Sequence, residues 1–179
     1  MKKYIPPMGM LPTLGLVAAV IAAMLFTAFA DDNFLPDHRM TPGVTDPALT
    51  KDVICAKGFS TKSVRNVINE AEIKTTVYDK YGMTDHKGLC ALVKRGCEID
   101  HLIPLEIGGK TDAKNLWPQP YGTKTWNANV KDRLENRLHR LVCSGDITLQ
   151  RAQVDIATDW ITAYKKYCLT AADCPAYKR

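Results

Sequence analysis

No C-x-x-C spacing occurs among the six cysteines, which excludes the paired thiolate knuckles on which zinc-cysteine modules are usually built. There is no internal repeat and no low-complexity tract, so repeat architectures and linker-like chains are excluded as well. No base-reading motif is visible, so sequence-specific recognition of nucleic acid is not expected. Charge of one sign is scarce. Taking Lys2 and Lys3, which fall in a targeting segment, from the 24 basic residues leaves 22 against 19 acidic ones, a net charge of +3. Such a balance permits a nucleic-acid partner without arguing for one.

A single long apolar run is present, from Leu11 to Phe29, preceded by Lys2 and Lys3 and closed by Ala28-Phe29-Ala30. Residues 1–30 therefore read as a signal peptide with an A-x-A cleavage site. The same run is just long enough for an uncleaved membrane anchor, against which the small residues before Asp31-Asp32 weigh. The expected location is exported, periplasmic or secreted. Cleavage after Ala30 would leave 149 of the 179 residues, enough chain for one domain with its own core. All six cysteines follow that point, as in a disulfide set of an oxidising compartment. Short loops cost least to close, which favours Cys90 with Cys97 and Cys168 with Cys174 and leaves Cys55 with Cys143.

Residues 31–52 carry Pro36, Pro42, Pro47 and Gly43 and read as an extended lead-in over the surface. From Ser60 to Tyr81 the pattern is mixed: Val64, Val67 and Ile68 have helical spacing, whereas Thr75-Thr76-Val77-Tyr78 leans toward strand. Glu98 to His101 reads as a short strand, Pro104 to Ala113 as a loop turned by Gly108-Gly109, and Leu116-Trp117 as a second strand ended by Pro118 and Pro120. Trp126 to Val142 is an amphipathic helix with Val130, Leu134, Leu138 and Leu141 on one stripe, stopped by Ser144-Gly145. A further helix is expected over Thr148 to Tyr167 with Thr148 as its cap. Trp117 and Trp126 read as packing residues.

Asp100-His101 followed by Pro104-Leu105, Gly108-Gly109 and Asn115-Leu116 thus lies on strand, loop, strand and helix, and the stretch from Glu98 to Glu135 resembles the ββα-metal finger of HNH-type endonucleases. The flanks, with Thr41-Pro42-Gly43 upstream and Lys131-Asp132 and Cys143-Ser144-Gly145 downstream, resemble small exported bacterial proteins of that type. The resemblance implies an α+β fold in which residues 53–179 form an HNH-like nuclease domain around a ββα core at about 98–142, with additional helices and disulfide staples.

It also implies a chemistry. Cutting a phosphodiester needs an activated water and something to meet the charge on the phosphate; a neutral imidazole can take the proton and a divalent cation can meet the charge. By resemblance His101 is the general base, Asp100 a ligand for magnesium or a similar divalent ion, and Asn115 the residue that fixes the loop. The pattern departs from the family at its third letter, since the final histidine would fall near Lys124 and none stands there. Asn127 and Asn129 are the candidate replacements. At about 100° per residue Asn127 falls toward Leu134 and Leu138 while Asn129 points away, so Asn127 is the expected ligand of an H-N-N variant. Glu135 could hold a metal-bound water.

Lys124, Lys131, Arg133, Arg137 and Arg140 set five positive charges against Asp132 and Glu135 along the helix and its entry. Lys131 is the expected phosphate contact, with Arg65 and Arg95 as further ones, while a solvated helix face would account for the rest. The expected activity is hydrolysis of DNA or RNA by a monomeric enzyme with little sequence preference. The rival is a noncatalytic exported binding protein that retains the finger as a scaffold.

Overall fold

A computed structural model describes residues 35–65, 70–83 and 96–176. The expected signal peptide, Cys90 and Arg95 lie outside the described residues. Among the described residues three helices come first: α1 (Lys51–Ile54), α2 (Thr61–Val64) and α3 (Glu70–Lys80). Strand β1 (Cys97–His101) follows, then a single 3-10 turn (Leu105–Ile107) and strand β2 (Leu116–Pro120). Three more helices close the chain: α4 (Ala128–Ser144), α5 (Leu149–Thr158) and α6 (Trp160–Tyr167). The class is α+β, helices around one two-stranded antiparallel sheet.

The hairpin pairs Cys97 with Pro120 through His101 with Leu116. Two prolines were expected to end β2, yet both lie inside it. The reason is register. Tyr121 N–H donates to the Gly96 carbonyl at 3.0 Å and Leu102 N–H to the Asn115 carbonyl at 2.7 Å. Hydrogen-bonded pairs therefore alternate with non-bonded ones, and Pro118 and Pro120 occupy the non-bonded positions, where a missing N–H costs the ladder nothing.

The strand leaning of Thr75-Thr76-Val77 is also overturned, because these residues belong to α3. The Thr75 and Thr76 hydroxyls donate to the carbonyls of Ala71 and Glu72, both at 3.0 Å, and so satisfy themselves within the helix. Val77 is fully buried and α3 lies against β2. Tertiary burial outweighs the weak β preference of three residues.

Helix α4 is the spine of the fold. Asn127 caps it, accepting from Val130 N–H at 3.2 Å, and Gly145 ends it in the left-handed conformation, φ 87°. Val130, Leu134, Leu138 and Val142 are buried along its inner stripe, each worth about 1.5–3 kcal/mol against exposure. That stripe packs on the 3-10 turn, α1 and α6. The helix expected over Thr148 to Tyr167 is in fact two. Thr148 does cap α5, but Asp159 is extended, and its carboxylate accepts from Ile161 and Thr162 N–H at 2.9 and 3.0 Å to start α6 afresh.

The lead-in is not a surface strap. Thr41 is fully buried, its hydroxyl 3.0 Å from the Leu116 carbonyl and 2.8 Å from the Tyr81 hydroxyl. Thr45 bridges to Gly109 and Leu49 enters the core. Cys55–Cys143 ties the end of α1 to the last turn of α4, and Cys168–Cys174 closes the segment after α6. Cys97 is also disulfide-bonded. These bridges are at home in an oxidising, non-cytoplasmic compartment. Among the described residues no helix is long and apolar enough to cross a membrane.

Candidate active site

His101 ends β1, nearly buried, with its ring Nε2 3.0 Å from the Thr111 hydroxyl. It faces a cleft of about 270 Å3 that it lines with Arg65, Glu98, Asp100, Glu106, Asp132 and Glu135. The loop that returns to β2 is held by Asn115, which is fully buried. Its Oδ1 accepts from Ile103 N–H at 3.0 Å and Val44 N–H at 3.3 Å, and its Nδ2 donates to the carbonyls of Ile103 and Lys110, both at 2.9 Å. The four bonds tie three places in the chain, Val44, Ile103 and Lys110, to one amide, so the lead-in and both ends of the loop share a single clamp.

Gly108 and Gly109 serve the same loop by different means. Gly108 takes φ 80° at the end of the 3-10 turn, a conformation that favours glycine. At Gly109 a Cβ would lie 1.8 Å from the Ile103 carbonyl oxygen, so two backbone segments touch where no side chain fits.

Across the cleft stands Lys131, with no exposed surface. Its ammonium donates to Asp100 Oδ2 at 2.7 Å, to the His101 carbonyl at 2.6 Å and to Glu135 Oε1. Burial alone would lower its pKa, but the charges of Asp100 and Glu135 outweigh that and raise it, so the ammonium stays charged. The carboxylates at the rim are pushed the other way. Glu98 rises to about 7, through burial and then the charge of Asp100, against an opposing hydrogen bond from the Tyr121 hydroxyl. Asp132 rises to about 6 through burial and Asp100. Burial also raises Glu106, whose Oε1 is buried without a hydrogen-bond partner.

The structure brings together His101, Asp100, Glu135 and Arg65 around the cleft, keeps Asn115 behind them as the clamp of the loop, and places two expected residues differently. Lys131 does not present its charge to a phosphate, because all three of its protons are directed to acceptors inside the protein. Asn127 is not directed at Asp100. Its oxygen is occupied by the cap, its Nδ2 donates to the Thr123 carbonyl at 3.0 Å, and it borders a separate pocket with Lys124, Asn129 and Arg133. The physical reason is that Asn127 precedes the helix with extended backbone, φ −142°, ψ 173°, so helical angles do not apply to it.

The remaining basic residues of α4, expected on a solvated face, have structural partners. Arg137 pairs with Asp173 at 2.9 Å, Arg140 donates to the Asp173 carbonyl at 2.6 Å, and Arg133 lies over the Tyr164 ring. Trp117 is in the core, and Trp126 packs edge-on against Trp160 and Tyr164. Glu98, Glu106 and Asp132 also line the cleft and Thr111 holds His101, although no motif marks these four. Glu98 carried one usable signal, since alternation puts it on the same strand face as Asp100.

The resemblance implies a divalent ion held by Asp100 and Asn127. Asp100 and Asn127 do not fit it: they border different pockets, and the Asp100 Oδ2 is already held by Lys131. Among the described residues, the His, Cys, Asp and Glu groups close enough for three to share a metal ion are Cys55, His139 and Cys143. That set could hold a metal, but its two sulfurs are joined in the disulfide.

Comparison with known protein families, curated proteins and solved structures finds no match to this chain.

Proposed function

We propose that the chain is an exported nuclease built on a ββα finger, hydrolysing phosphodiester bonds of DNA or RNA with little sequence preference. What supports this reading is one juxtaposition: an imidazole and a carboxyl group of raised pKa border the same cleft, each held by a hydroxyl, His101 by Thr111 and Glu98 by Tyr121. His101 takes the proton of the attacking water. Glu98, its pKa raised to about 7 by burial, can hold a proton near neutral pH and donates it to the departing oxygen. Arg65 borders the cleft and supplies positive charge for the phosphate. The residues expected to hold magnesium, Asp100 and Asn127, do not fit it as a pair. Export rests on the Leu11–Phe29 run together with the disulfides.

The test is digestion of plasmid and of RNA by the purified protein beside His101→Ala. A general base contributes roughly 10²–10⁴-fold, so the variant loses at least about a hundredfold in rate. Equal rates would refute the role of His101.

The noncatalytic scaffold reading is favoured by a different observation. Five acidic side chains, Glu98, Asp100, Glu106, Asp132 and Glu135, border the cleft, and Lys131 is turned inward, so beyond Arg65 the cleft offers an approaching phosphate no positive charge among the described residues. Nucleic acid that binds the protein without being cut, in wild type and His101→Ala alike, would establish that reading instead.

A further inference from the structure

We propose that Lys131 is the resident cation of this site, joining β1 to α4 and making the cleft independent of a divalent ion. An ammonium has three protons, and the three acceptors around this one saturate it: a carboxylate from β1, a main-chain carbonyl from β1 and a carboxylate from its own helix. Two of those acceptors belong to consecutive residues, Asp100 and His101. A single Nζ therefore fixes both the aspartate of the motif and the backbone that carries the imidazole, which makes Lys131 a positioning residue for His101.

Placement on the helix explains how a lysine comes to be there. Lys131, Leu134, Glu135 and Leu138 follow the spacing i, i+3, i+4, i+7, so Lys131 occupies the inner stripe and its four-carbon stem lies where a leucine would. Lys131 and Leu134 have no exposed surface. A divalent ion bound at Asp100 would sit against this ammonium and be repelled by it. The ligand expected to draw such an ion in, Asn127, is occupied by the helix cap and faces another pocket.

The activity arm of the test rests on the nuclease reading; the binding arm does not. Manganese binding to the full chain is measured by electron paramagnetic resonance, and thermal midpoints are measured with millimolar magnesium, manganese or EDTA. The wild type is expected to bind no manganese at stoichiometric amounts and to keep one midpoint in all three conditions. Lys131→Ala opens a vacancy lined by Asp100, Glu135 and the His101 carbonyl, and its lowered midpoint is expected to rise again with manganese. Should that variant fail to fold, the wild-type measurements decide. One manganese bound by the wild type and lost in Asp100→Asn would overturn the proposal.

Cleavage assays separate the two readings. Cleavage undiminished by EDTA supports both, and cleavage abolished by EDTA and restored by a divalent ion overturns the role of Lys131 while the nuclease stands. No cleavage with or without ions, together with the expected binding and midpoint results, leaves Lys131 as the resident cation and removes the nuclease.

Discussion

Replacing Asn115 with alanine removes one side chain and leaves four backbone groups without their partners: the N–H groups of Ile103 and Val44 and the carbonyls of Ile103 and Lys110. A buried polar group left unsatisfied costs about 1–3 kcal/mol. The two groups of Ile103 are buried and carry the full penalty, whereas those of Val44 and Lys110 are half-buried and can turn to water. The expected loss is about 3–5 kcal/mol, less than the plain sum because a shared clamp is not additive. With a urea dependence of about 2 kcal/mol per molar, the unfolding midpoint falls by about 2 M. Hydrogen exchange gives an independent reading, since the Ile103 amide loses its acceptor and its protection. Asn115→Asp is the control: it keeps the acceptor but aims an oxygen at two carbonyls, so it is no better than alanine at neutral pH. A loss under about 1 kcal/mol in the alanine variant, or an Ile103 amide still protected, would refute the clamp.

Gly109→Ala forces a methyl group to within 1.8 Å of the Ile103 carbonyl, and because both atoms are on backbone the loop must move. Its urea midpoint is expected to fall by more than that of Lys110→Ala, with cleavage lost beside it. Glu98 has a folded pKa of about 7 against 4.5 for an unperturbed carboxyl, so the folded state holds its proton more tightly. The stability it contributes is complete below the lower value and lost as pH rises through 7. Glu98→Gln flattens that fall in the urea midpoint, and the loss of wild-type cleavage above pH 7 disappears with it because the donor is gone. Opening Cys55–Cys143 releases a loop of 88 residues and Cys168–Cys174 one of 6. The loop-entropy relation gives about 4–5 and about 2 kcal/mol, so the double alanine variant of the first pair lowers the thermal midpoint more than that of the second. A larger drop from the short loop would contradict this.

Where one local rule acted alone, the fold was legible in the sequence. The apolar stripe of α4, its stop at Gly145, the cap at Thr148 and the first strand were each readable from spacing and end residues. Elements decided by distant contacts were not. Nothing local says that Thr75-Thr76-Val77 will be helical, because the decision comes from burying Val77 on α3, which packs against β2. Nor does anything local say that Pro118 and Pro120 are tolerated in a strand, since that depends on which N–H groups the partner requires. The lead-in looked like a surface strap because its prolines exclude helix and central strand, yet its main chain supplies donors to Asn115 and Lys114 in the loop beside His101.

The candidate site divides along the same line. His101, Asp100 and Asn115 could be read because the motif fixes their spacing within one hairpin. The partner of Asp100 comes from another element, and there the angular rule fails at the helix boundary. Angular projection holds for residues inside a helix, and Asn127 is the residue before it, with its side chain turned back to cap the first turn. Applied within the helix, the same arithmetic places Lys131 about 20° from Leu138, on the buried stripe. A lysine at such a position cannot be a solvated phosphate clamp, because an ammonium taken out of water requires fixed oxygen partners. Two are available in sequence terms, Glu135 one turn on and the aspartate one residue before the end of the facing strand. The charge that holds Asp100 thus comes from the inner stripe of α4, at Lys131, rather than from the place of the missing histidine.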